Sequence, residues 1–80
     1  MKTLTFYTRA GCHLCDDALA VVETVRAEEP FHLRILDLDS DAPPDKRAAY
    51  DWEVPVLELE GRKIAKYTIE APRLLRLLRD

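Results

Sequence analysis

Cys12-His13-Leu14-Cys15 stands where the periodicity of the chain changes, and that junction constrains the fold more than any other feature. Before it, Leu4 and Phe6 alternate with Thr3, Thr5 and Tyr7, the period of a strand. Thr8-Arg9-Ala10-Gly11 is a loop. After it, Ala18, Val21, Val22 and Val25 recur at helical spacing, with Glu23, Arg26 and Glu28 facing outward. The two cysteines are the only ones in 80 residues, too few for a secreted scaffold held by disulfides. A C-x-x-C between a strand and a helix is an arrangement that thiol–disulfide exchange uses.

The remaining chain completes an α/β pattern. Pro30 ends the first helix. Leu33, Ile35, Leu36 and Leu38 read as a second strand, too continuously apolar for one wet face and therefore expected inside a sheet. Ser40 to Asp45 reads as a turn and a helix start, with a short helix to about Tyr50. Val54 to Leu59 is a strand, Glu60-Gly61 a hairpin turn and Arg62 to Tyr67 the return strand. Thr68 is placed to cap a last helix, with Pro72 in its first turn and Leu74, Leu75, Leu77 and Leu78 facing the core. The order β-α-β-α-β-β-α predicts one domain over residues 1–80, with a parallel right-handed βαβ first half, a four-stranded mixed sheet and helices on both faces. A proline inside a buried strand is a contradiction, resolved if Pro55 begins the strand and its preceding bond is cis.

Composition excludes several classes. The net charge is −3 and no basic stripe is present, which argues against nucleic acid as the partner. Arg73, Arg76 and Arg79 recur near the C-terminus, where they suit a helix dipole as a solvated face. No segment approaches the roughly 20 apolar residues of a membrane span, and Met1 to Tyr7 does not read as a signal peptide. The expected location is the cytoplasm, where disulfides are transient or catalytic.

Tyr7-Thr8-Arg9-Ala10-Gly11-Cys12-His13-Leu14-Cys15 and Glu53-Val54-Pro55, with Gly61 in the hairpin, make the chain resemble the glutaredoxin-like proteins of the thioredoxin superfold over nearly its whole length. The resemblance implies that Cys12 is the exposed nucleophile, that Cys15 resolves it, and that Pro55 is cis and faces them. Arg9 matches a basic residue that lies three before the first cysteine in that family. Glu53 stands where glutaredoxins usually carry Thr, and Ala65 to Ile69 replaces a Gly-Gly pair with acidic residues that binds glutathione. His-Leu replaces the common Pro-Tyr between the cysteines. The resemblance therefore carries the redox chemistry further than the glutathione preference.

The implied activity is that of a dithiol oxidoreductase, with no bound cofactor, reducing a disulfide in a protein or a small molecule. Cys12 attacks as thiolate, Cys15 then releases the product, and glutathione or a thioredoxin-type reductant restores the pair. The helix N-terminus is expected to lower the Cys12 pKa from about 8.5, Arg9 and a protonated His13 to assist, and Asp16 and Asp17 to oppose. Arg9, His13, Val54 and Pro55 are the candidate substrate-binding residues, with the Val54 backbone free to pair with an extended substrate. Arg9 and Glu53 read equally as surface charges, His13 as a plain loop residue, His32 as structural, Trp52 as packing and Tyr7 as core. Tyr67 stands where a glutathione site would end and would fill it. The competing class is a thioredoxin-fold binding module in which the C-x-x-C holds a metal ion or an iron–sulfur cluster. A structural zinc needs four ligands, and only His13 and His32 remain to join the cysteines, so no metal is assigned. The chain is expected to be a monomer.

Overall fold

The computed structural model describes all residues from Met1 to Asp80. Its elements are β1 (Thr3–Thr8), α1 (His13–Glu28), β2 (His32–Asp37), α2 (Pro44–Tyr50), β3 (Val56–Leu59), β4 (Arg62–Lys66) and α3 (Ala71–Arg79). The four strands form one sheet in the order β2-β1-β3-β4. β1 runs parallel to β2 and antiparallel to β3, and β4 is antiparallel to β3.

Side-chain alternation assigns the two faces of this sheet. Leu4 and Phe6 of β1, with Leu57 and Leu59 of β3, pack against Ala18, Val22 and Val25 of α1 and Leu74 of α3. Leu75, Leu77 and Leu78 of α3 add partly buried apolar surface to that cluster. Tyr7 and Val56 face the other way, toward Leu38, Ala42 and Tyr50. Beside that second cluster lies the buried carboxylate of Glu58, which accepts from the Tyr50 hydroxyl at 2.6 Å and from Lys46 Nζ at 2.7 Å. Its hydrogen bond raises the Lys46 pKa. Burial first, and then Glu58, raises those of Tyr7 and Tyr50. Paired donors let a charge sit under a short helix without the cost of an unpaired one.

Two expectations from the sequence are corrected. β2 is an edge strand, not an interior one: β3 occupies the other side of β1, so β2 has a single neighbour and leaves Ile35 48% exposed. An apolar run reports which faces are covered and says nothing of how many strands lie alongside. Thr68 does not cap α3, whose N-cap is Glu70 with no side-chain hydrogen bond. The Thr68 N–H instead donates to the Lys66 carbonyl, and buried Ile69 anchors the connection before the helix starts.

The hairpin closes at Glu60 and Gly61, with φ of 52° and 80°. Positive φ at both central residues is what a two-residue turn of the I′ type requires, and it explains the glycine. The Val54–Pro55 peptide bond is cis, immediately before β3. We expect Leu74→Ala to cost about 2–5 kcal/mol of stability, because its side chain is wholly buried. Arg76→Ala, on the outer face, should stay within about 0.5 kcal/mol, and chemical denaturation measures both.

Candidate redox site

The strand that ends at Thr8 and the helix that starts at His13 bring the cysteines to one edge of the fold. Cys12 is the N-cap of α1, and its Sγ accepts the Cys15 N–H at 3.0 Å. That bond uses one of the unpaired donors of a helix start, and the dipole there favours negative charge on the same sulfur. Cys12 is partly exposed and Cys15 is buried. The two are joined as a disulfide with Cα atoms 5.2 Å apart. Gly11, at φ 78°, makes the turn that presents them.

Val54 packs against the apolar cluster that contains Cys15 and adjoins Cys12. Neither its N–H nor its C=O has a hydrogen-bond partner within the chain. The Pro55 carbonyl accepts the Tyr67 N–H at 2.8 Å, which ties the β4–α3 connection to the proline. His13 is exposed beside the cysteines, whereas His32 lies apart at the start of β2, also exposed. No group of three or more His, Cys, Asp or Glu side chains is arranged to hold a metal ion.

Arg9 is spent on a clamp rather than pointed at the sulfurs. Its Nε and Nη2 donate to both carboxylate oxygens of Asp39, at 2.9 and 2.8 Å. Nη1 reaches the Asp51 carbonyl and Nη2 the Asp51 carboxylate, both at 2.7 Å. The bidentate hydrogen bond holds the Asp39 carboxyl below the usual carboxylate range and raises the guanidinium. Glu53 is held likewise by Lys63 and by Lys66 at 3.7 Å, and the Lys63 hydrogen bond lowers its carboxyl. The segment from Asp51 to Glu53 is thus fixed from both sides, yet the Trp52 side chain within it is 86% exposed, not packed as expected. Tyr7 is buried as expected, against Tyr50. The sequence reading singled out neither Asp39 nor Asp51. They lie 30 and 42 residues from Arg9, and no local spacing marks such a pair.

The model of the glutaredoxin-like domain family (DUF836) matches residues 3–79. The chain belongs to that family. A Mycobacterium tuberculosis protein, Rv0508, described as uncharacterised, is 30% identical over 70 residues, covering 84% of this chain and 72% of that protein. The crystal structure of the Xanthomonas campestris protein XcR50 is 35% identical, covers 95% of both chains and superposes with a TM-score of 0.73. Thioredoxin-2 of a malaria parasite is 14% identical, yet it covers 99% of this chain and 82% of its own with a TM-score of 0.76. The fold of this glutaredoxin-like protein is therefore that of thioredoxin, and its cysteine pair gives it a redox-type site. No helix is long and apolar enough to cross a membrane.

The ion pairs set an acid limit on stability. Asp39 and Glu53 have lowered folded-state values, so their contribution is present above the unfolded carboxylate range and is lost as pH falls through the folded values. We expect the thermal midpoint to fall between about pH 5 and pH 3. Arg9→Ala should make that fall shallower, because the largest cause of the lowered Asp39 value is then removed.

Proposed function

We propose that this protein is a dithiol thiol–disulfide oxidoreductase of the cytoplasm that reduces disulfides in proteins or small molecules. The observation that carries the reading is Cys12: partly exposed, at the helix N-terminus, and joined to a buried Cys15 one turn later. Exposure lets Cys12 be reached first, and burial keeps Cys15 for the second step.

In the reduced protein the Cys12 thiolate attacks one sulfur of the substrate disulfide. A Cys12–substrate disulfide forms, the substrate bond breaks, and the other sulfur leaves as a thiolate that takes a proton. The Cys15 thiolate then attacks Cys12 Sγ, and the second substrate thiol is released. Two electrons pass from the protein to the substrate, leaving the Cys12–Cys15 disulfide. Two glutathione molecules, or one thioredoxin-type dithiol, return them. Pro55 has no N–H, and the unpaired main chain of Val54 next to it is free to bond an extended substrate as an added strand. His13, exposed at the motif, stays available as a proton partner for the departing thiol. Arg9 acts here as a positioning residue, since Asp39 and Asp51 take its donors.

Cys12→Ser is expected to abolish reduction of a test disulfide, and full activity in that variant would contradict the mechanism. Cys15→Ser should leave the first attack intact and accumulate a mixed disulfide on Cys12, seen as the added mass of the substrate half.

A further inference from the structure

A groove of about 210 Å³ opens along the first turns of α1. One wall is the start of α1, with Leu14, Asp17, Ala18 and Val21, and the other is the connection carrying Tyr67, Thr68 and Ile69. Leu14 lies between the two cysteines, and the Tyr67 N–H is bonded to Pro55, so both walls begin at the redox site. Leu14 is 45% exposed and Tyr67 41%, two of the five large apolar side chains that the protein leaves open, and they line the same groove. Such clustering marks a contact surface rather than scatter. The volume is below the roughly 300–1,000 Å³ of small-molecule sites and suits a side chain of an extended segment.

The charges around the groove have one sign left over. Asp17 lines it, Asp16 precedes it and Glu70 follows Ile69, all exposed and none paired with a cation. Most of the neighbouring cations are engaged with other acids or with main chain, Arg73 donating to the Ile64 carbonyl. Arg9 holds Asp39 and Asp51, and Lys63 holds Glu53. Lys66 is shared between Glu53, at 3.7 Å, and the face of Tyr67, 5.4 Å from the ring centroid, so one cation stands on that wall against the three acids. His13 is the remaining base beside the motif. Glutathione, with two carboxylates, would meet an acidic rim here.

Resting on the exchange activity proposed above, we infer that the substrate is a protein cystine in an extended segment with an apolar side chain and a Lys or Arg close to the cysteine. The segment's main chain pairs with Val54, its apolar side chain enters between Leu14 and Tyr67, and its cation meets Asp17. The two electrons that reduce this cystine to two thiols come from Cys12 and Cys15.

The test is single-turnover reduction by prereduced protein, which needs no recycling system. Five probes are compared: a peptide disulfide with Leu and Arg beside the cysteine, the same peptide with Leu and Glu, the same peptide with Ser and Arg, glutathione disulfide and 2-hydroxyethyl disulfide. The Arg peptide should react about tenfold faster than the Glu peptide, the product of a few-fold attraction and a few-fold repulsion at an exposed rim. It should also outrun glutathione disulfide. Asp17→Lys should erase or invert the ratio of the two peptides, and that ratio cancels any change in the thiol's own reactivity. Tyr67→Asn, which suits the positive φ of 68°, should remove the advantage of Leu over Ser in the peptide. Equal peptide rates, or glutathione disulfide as the fastest probe, would overturn the inference while leaving the exchange activity standing. Failure to reduce any probe, 2-hydroxyethyl disulfide included, would remove both.

Discussion

Everything at the redox site depends on the position of β1. It lies between β2 and β3 and is buried on both faces, so its C-terminal end is held by packing from both sides of the sheet. The loop that leaves it has four residues, Arg9 to Cys12, before α1 begins. A short loop from a buried strand places the helix start, and with it the Cys12 sulfur, and the Arg9 contacts to Asp39 and Asp51 hold that loop. β3, bonded to the other side of the same strand, brings Val54 and Pro55 to the same edge. The disulfide, the helix terminus and the free backbone of Val54 therefore share one origin.

Side chains around that edge divide by how their charges are used. Arg9, Lys63 and Lys66 are committed to holding loops in place, and each draws an acid with it. Asp16, Asp17 and Glu70 are left to face solvent. The same clamps that steady the loop around Trp52 decide the sign of the surface a substrate would meet. Lys66, over the face of Tyr67, is the one cation of the clamps that also reaches this rim.

Much of the fold was legible because its signals are local. The alternation of Leu4 and Phe6, the stripe of Ala18, Val22 and Val25 and the Glu60-Gly61 turn each depend on a few neighbouring residues. Lateral strand order was not, since Leu33 to Leu38 looks alike at the centre or at the edge of a sheet covered by helices. The cysteines were legible from their spacing. The partners of Arg9 were not, because Asp39 and Asp51 approach it only through the packing of two loops. Trp52 was misread as packing for the same reason: whether a large aromatic is buried depends on what clamps its neighbours, and composition does not record that.

The central claim is that Cys12 and Cys15 form a working exchange couple, and the reduction potential of the pair tests it most directly. The protein would be equilibrated in glutathione buffers of graded ratio and its free thiols counted. The account expects one reversible two-electron transition within roughly −270 to −120 mV, the span of exchange catalysts of this fold. A pair that forms no intramolecular disulfide anywhere in that span would contradict it.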